Sequence, residues 1–213
     1  MEQRLRIYIV RHGVTAWNKA MRMQGHTDIE LEEEGVRQAE RIGHRLSTNS
    51  EPPQAVFASD LSRARRTAEA IAGPLGLDVQ IDPLLRETCL GDWEGLTRDQ
   101  IAERGEAEKL ARYLRDPHLH RPPNSETLEE VWERMHVALD KIRSLHSEGQ
   151  VAIVGHGGSL RALLCSALDA PLPSMRRFFL DNASLSIVDE VGPPENRYQR
   201  VVLVNDTSHL VDC

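Results

Sequence analysis

Two apolar runs in this chain end in the same way, and that repetition constrains the fold more than any other feature. Ile7-Tyr8-Ile9-Val10 runs into Arg11-His12-Gly13, and Val151-Ala152-Ile153-Val154 runs into Gly155-His156-Gly157-Gly158. Short continuous apolar runs rich in β-branched residues mark strands buried on both faces. Such strands belong to open α/β sheets, which bind ligands beyond the carboxyl ends of their strands. Both histidines therefore stand where a site is expected.

The rest of the pattern agrees. It predicts strands over 5–10, 55–58, 79–81 and 151–154, with 184–188 and 200–204 closing the sheet, one of these antiparallel. Helical spacing predicts helices over 31–46, 61–75, 127–146 and 159–168. Ser59, Asp60 and Ser62 are capping candidates for the second of these helices, and Gly76 is its stop signal. Strands alternating with helices predict a three-layer αβα sandwich around a mixed, mostly parallel sheet. The length, 213 residues, suits one domain over 1–213. Residues 88–125 are the least regular, with Gly91, Gly95, Pro117, Pro122 and Pro123. They are expected to form a small cap or rim with helical pieces.

Composition narrows the function. Hydrophobic content of 40% and charged content of 28% are ordinary for a globular enzyme. A formal net charge of −7 argues against nucleic acid as a partner. An anionic ligand must then be drawn in by a local basic cluster. Cys89, Cys165 and Cys213 are an odd number at wide spacing, read as reduced thiols in a cytoplasmic protein. The apolar run near the start is too short for a signal segment, and no run reaches membrane-spanning length, so no membrane partner is expected.

The second strand ends at Ser59, which puts Arg63 in the first turn of the next helix. If the three strands are neighbours, Arg11, His12, Arg63 and His156 converge. Two guanidiniums offer forked donors matched to phosphate oxygens. A neutral imidazole offers a nucleophilic nitrogen, and a second imidazole, if protonated, adds charge and a donor. Gly13 and Gly157 would let backbone N–H groups approach an oxyanion. Such a pocket neutralises a phosphomonoester dianion without a metal or cofactor. The plainer reading, structural histidines and a solvated arginine, stays open at this point. A zinc site lacks a third ligand at sensible spacing, and the arginines oppose a cation, so no metal is expected.

These residues resemble the histidine phosphatase superfamily in its phosphoglycerate-mutase-like branch. The resemblance rests on RHGVTAWNKAMRMQGHTDIELEEEG, ASDLSRARRTAEAIA, LLRETCLGDWEGLT, PPNSETLEEVWERM, VAIVGHGGSLRALL and DNASLSIV, which cover nearly the whole chain in order. It implies that His12 forms a phosphohistidine and that Arg11, Arg63 and His156 hold the phosphoryl oxygens. It implies a further phosphate contact from Asn18, and substrate contacts from the loop at Gln24 and Gly25. Glu87 would protonate the leaving oxygen and then activate water, a role that calls for a carboxyl with a raised pKa, favoured by burial. Asp92 and Glu94 are read as solvated loop acids and Trp93 as packing beneath them. Glu32 stands where the family usually has a Ser or Thr helix cap, which weakens a cap but suits the helix dipole.

Within that branch, mutases carry a longer segment between the Arg63-type helix and the acid loop, and a longer tail. The compact form here points to a phosphatase acting on a small phosphorylated metabolite. A cofactor-dependent phosphoglycerate mutase is the alternative. An inactive phosphate-binding regulatory module is an alternative of another class, disfavoured by the complete residue set. The charged rim at 104–121 holds Arg112, Arg115, His118, His120 and Arg121, which are either recognition groups for a carboxylate or second phosphate, or solvated charges. The expected partner is a small-molecule phosphomonoester; a homodimer is left open.

Overall fold

The computed structural model describes residues 3–193 and 196–211; Cys213 lies outside them. Its six-stranded sheet has the order β3-β2-β4-β1-β5-β6. The strands are β1 (Arg4–Arg11), β2 (Ala55–Ala58), β3 (Val79–Ile81), β4 (Gly149–Gly155), β5 (Leu185–Val191) and β6 (Tyr198–Asp206). β3, β2, β4 and β1 pair in parallel, while β5 runs antiparallel to both β1 and β6. Central β1 and β4 carry the two apolar runs, and those side chains are buried.

Helices cover both faces, as the alternation requires. α1 (Ala16–Lys19) is a single turn in the loop after β1. α2 (Glu33–Ser47) and α3 (Ser62–Ala72) lie on one face, where Ile42, Leu46, Ala64, Ala68 and Ile71 pack on Tyr8, Val10, Val56 and Val154. The expected end of α3 at residue 75 is instead a separate 3-10 turn, Gly73–Leu75. Pro74 has no amide hydrogen to extend the helical ladder. α4 (Arg98–Ile101) and α5 (Ala107–Arg115) belong to the irregular segment. α6 (Leu128–Leu145) and α7 (Gly157–Ala167) cover the other face, packing Val131, Met135, Leu139, Leu160 and Leu163 on Leu5, Ile7, Ile9, Val151 and Ile153.

This connectivity creates the site. β1 and β4 are neighbours, with Arg11 in register with Gly155. The chain leaving β1 passes to the α2 face, whereas the chain leaving β4 turns into α7 on the opposite face. Neighbouring strands whose connections diverge leave a crevice at their carboxyl ends. His12 and His156 stand at its two sides.

The irregular segment has a small core of its own. Trp93, Ile101 and Leu110 are buried there against Met23, Leu96 and Tyr113. The Trp93 indole donates to Glu106 (3.0 Å) and meets the Tyr113 ring edge-on. Trp93 thus packs beneath the acid loop, as expected.

The capping expectations for α3 are corrected. Its N-cap is Leu61, with no side-chain cap. The Ser62 N–H donates instead to Asp28, a carboxylate brought in from the 24–28 loop (2.8 Å). Asp60 is occupied by Arg86, and the Ser59 hydroxyl accepts from the Leu61 N–H. Glu32 makes no side-chain cap for α2, but Glu33 and Glu34 in the first turn complement the helix dipole.

Candidate active site

The five residues singled out at the strand ends and acid loop share one neighbourhood. The His12 N–H donates to the Gly155 carbonyl (3.0 Å), locking the two strand ends together. The imidazoles of His12 and His156 lie 5.1 Å apart, centre to centre, tilted by 57°. Both are buried.

Hydrogen bonds fix both rings as different tautomers. His12 Nδ1 lies 2.7 Å from the Gly13 carbonyl, which only accepts, so Nδ1 carries the hydrogen and Nε2 keeps its lone pair. His156 Nδ1 accepts from Arg63 Nε (3.2 Å), so His156 Nε2 carries the hydrogen. That Nε2 is buried without a partner among the described residues. Burial and the flanking cations hold both pKa values well below the ordinary 6.5. The pair is therefore one nucleophilic nitrogen beside one neutral donor, not a cationic histidine beside a neutral one.

Arg63 is fully buried in the first turn of α3. It donates to His156, to the Thr27 carbonyl (2.8 Å) and to the Gly25 carbonyl (2.9 Å). The guanidinium so ties α3, β4 and the 24–28 loop to one point. Arg11 donates to the Leu180 carbonyl (2.6 Å), while its Nε is buried with no partner among the described residues. Burial lowers both arginine pKa values from the ordinary guanidinium value, yet a guanidinium stays charged.

Glu87 corrects an expectation. Burial pushes its pKa up, but three backbone N–H groups and Arg63 outweigh that and hold it below the usual carboxylate value. Those N–H groups belong to Thr88 (2.8 Å), Gly158 (3.0 Å) and Ser159 (3.0 Å). The last two are first-turn amides of α7 that have no acceptor within the helix, and the helix dipole there also favours an anion. The carboxylate is thus ionised until a second negative charge enters the pocket.

Asn18 is built into the turn after β1. Its side-chain oxygen accepts from the Thr15 N–H and hydroxyl (3.0 Å each) and from Asn182 (3.2 Å). That leaves the Asn18 amide hydrogens as the available donors. Gln24 is buried, and its side-chain oxygen has no partner among the described residues. Gly25 has φ +52, and a β-carbon there would collide with the Glu94 carboxylate, so this loop position requires glycine.

Of the strand-end glycines, Gly13 serves close packing and not the approach of an oxyanion to its backbone. The Gly13 N–H donates to Thr67, and a β-carbon there would run into the Gly35 carbonyl; its role is close packing of α2. A β-carbon on Gly157 would only touch the Arg11 guanidinium, at 3.4 Å. Gly158 is the more demanding position, because its missing side chain leaves room for Glu87.

Glu94 is not a solvated acid. It accepts from the N–H groups of His26 (2.9 Å), Thr27 (3.0 Å) and Leu90 (3.0 Å) and from the Thr27 hydroxyl (2.7 Å). It staples the 24–28 loop, whose carbonyls receive Arg63, to the acid loop. Asp92 is exposed, as expected. Of the charged rim, Arg112 is exposed and pairs with Glu108, Arg115 is exposed, and Arg121 donates to the Ser125 carbonyl. His118 Nδ1 lies 2.8 Å from Glu129.

Sequence reading missed Gly158, Glu94, Asn182 and Arg134. Asn182 donates to the His12 carbonyl and to Asn18. Arg134 donates from α6 to the Glu87 carbonyl (2.8 Å) and to Glu126 (2.9 Å), clamping the acid loop from below. Arg134 carried a signal: it follows buried Val131 by three residues, on the inward stripe of an amphipathic helix.

A buried pair of imidazoles and two guanidiniums stand with a helix-anchored carboxylate at a strand-end crevice, a set of donors able to receive an oxyanion. The sequence profile of the histidine phosphatase superfamily (branch 1) matches residues 7–207, and the chain belongs to that family. A relative from Erwinia tasmaniensis named "Probable phosphoglycerate mutase GpmB" is 40% identical, over 98% of this chain and 96% of its own. The solved structure titled "Bacillus stearothermophilus YhfR" is 33% identical with a TM-score of 0.87, covering 97% of this chain and 99% of its own. A mycobacterial glucosyl-3-phosphoglycerate phosphatase, solved with VO3, is 31% identical with a TM-score of 0.84, covering 95% and 99%.

Proposed function

We propose that this chain is a phosphomonoester hydrolase that works without a metal, through a phosphohistidine on His12. The observation that carries the reading is the tautomer pair: the free lone pair on His12 Nε2 stands beside an unpartnered N–H on His156. One is what an attacking nitrogen needs, and the other what a phosphoryl oxygen needs.

The cycle follows from the donors. Arg11 Nε, the remaining Arg63 hydrogens, His156 Nε2–H and the Asn18 amide receive the three phosphoryl oxygens. His12 Nε2 attacks phosphorus as the bond to the leaving oxygen breaks. Glu87 gives that oxygen a proton. Its depressed pKa means the proton arrives with the substrate: a monoanionic ester, whose second ionisation lies at about 6, passes it to the carboxylate on binding. Water then attacks the phosphohistidine, Glu87 takes its proton, and phosphate leaves with His12 restored. Charge is met by fixed guanidiniums and N–H dipoles, which need no reorganisation during the step.

The solved relative that is a glucosyl-3-phosphoglycerate phosphatase supports hydrolysis of a small phosphorylated metabolite. The name of the Erwinia relative supports a second reading, phosphoglycerate mutase, in which the phosphohistidine is returned to another hydroxyl. One experiment separates them. The purified protein is given 3-phosphoglycerate and, separately, p-nitrophenyl phosphate, each with EDTA, without it, and with added divalent metal. Hydrolysis predicts inorganic phosphate faster than isomer, with EDTA having no effect. Isomer formed faster than phosphate overturns the hydrolase reading, and strict dependence on added metal overturns the mechanism.

A further inference from the structure

A cavity of about 240 Å³ opens beside Glu87, the residue assigned above to protonate the leaving oxygen. Thr88 and Gly158 border it with Glu87, and its far walls are Leu114 and Pro117 from the irregular segment and Met175 from the opposite side. At about 30 Å³ per water, it has room for a leaving group of about eight water volumes.

One cation lines this largely apolar space. Arg161 sits one turn into α7, and its Nε donates to the Gly157 carbonyl (2.9 Å), which holds the guanidinium in place. Its two terminal nitrogens meet no carboxylate and no carbonyl among the described residues. Arg63 and Arg134 are engaged, Arg63 with three acceptors and Arg134 with Glu126 and the acid-loop carbonyls, and Arg11, whose Nε has no partner among the described residues, does not border this cavity. A half-buried guanidinium at the wall of this cavity, whose terminal N–H groups have no protein acceptor among the described residues, is matched in shape and charge by a bidentate carboxylate.

We propose that Arg161 reads a carboxylate on the leaving alcohol, so that this site selects phosphomonoesters of compact alcohols bearing one carboxylate on an otherwise apolar body. This rests on the hydrolase reading for the direction in which the leaving group points. A neutral polyol brings no anion to the guanidinium, and although Thr88 and Tyr113 could meet some of its hydroxyls, those facing Leu114, Pro117 and Met175 would go unpaired. A leaving group with several negative charges fits poorly too, since a single guanidinium faces it and Glu87 lies on the same cavity. The exposed rim arginines Arg112 and Arg115 do not border this cavity.

Binding tests the proposal without requiring turnover. Benzylphosphonate and 4-carboxybenzylphosphonate, which cannot be hydrolysed, are titrated calorimetrically into the wild type, Arg161→Met and Arg161→Lys. The wild type is expected to bind the carboxylate compound at least tenfold more tightly, Arg161→Lys to keep part of that ratio, and Arg161→Met to bring it to about one. Equal affinities in the wild type, or an undiminished ratio in Arg161→Met, overturn the proposal. Phosphate release from phenyl phosphate, followed in parallel on the wild type, tests the hydrolase reading separately. Its absence would sink that reading and leave the binding ratio to decide the role of Arg161.

Discussion

Replacing Gly158 by alanine puts a β-carbon where the structure has the Glu87 carboxylate. The added carbon would lie 2.5 Å from Glu87 Oε1 and 2.8 Å from Thr88 Oγ1, where ordinary contact begins at 3.4 Å. The carboxylate must give by about 0.9 Å, and it leaves the Gly158 and Ser159 N–H groups as it moves. Misplacing a catalytic group by about 1 Å costs on the order of a hundredfold, within the 10²–10⁴ that general acid catalysis supplies. At 1.36 kcal/mol per tenfold, that is about 2.7 kcal/mol of barrier. The assay is the first-turnover rate of alcohol release for two esters. An alkyl phosphate needs its leaving oxygen protonated, whereas p-nitrophenolate leaves well unaided. Gly158→Ala is expected to slow the alkyl ester about a hundredfold and p-nitrophenyl phosphate less than tenfold. Equal losses on the two esters would refute the assignment of Glu87 as proton donor, and so would no loss at all.

Two further outcomes follow from the same geometry. The free-enzyme profile of kcat/KM should have its acid limb well below pH 6.5, because protonation of His12 is pushed down by burial and the flanking cations. It should fall about tenfold per pH unit above the substrate's second ionisation at about 6, since the depressed Glu87 carboxylate depends on the proton of the monoanion; activity flat to pH 8 that is lost around pH 6.5 would contradict both assignments. Glu94→Ala removes the acceptor for three backbone N–H groups and one hydroxyl, so it should lower stability by about 2 kcal/mol. That corresponds to a fall in Tm of about 4–8 °C, and KM should rise at least tenfold as the loop that orients Arg63 loosens; an unchanged thermal midpoint with unchanged KM would return Glu94 to the role of a solvated acid.

The strand ends were legible because their cause is local. A continuous apolar run read as a buried strand, and the side chain after it could only face the crevice, so Arg11, His12 and His156 were placed from sequence. Arg63 needed one more step, the assumption that β2 lies beside β4, which the sheet order bears out. Glu87 could be chosen over Glu94 only through family resemblance, since both stand in one polar loop. What stayed hidden depends on contacts distant in sequence. Two of the three amides that hold the Glu87 pKa down come from about seventy residues later, and Glu94 reaches back to His26 and Thr27. The α3 cap failed for the same reason: nearby hydroxyls were available, but Asp28 from another loop took the position.

The account turns on a covalent bond to one nitrogen of one histidine. Rapid quenching of the wild-type protein with a phosphomonoester substrate, followed by peptide mass spectrometry under conditions that keep phosphohistidine intact, measures it directly. The expected result is one phosphoryl group on the peptide holding His12, absent from His12→Ala, whose turnover should fall by several orders of magnitude. Phosphate release by the wild type with no label on that peptide, or label and turnover surviving in His12→Ala, would contradict the account.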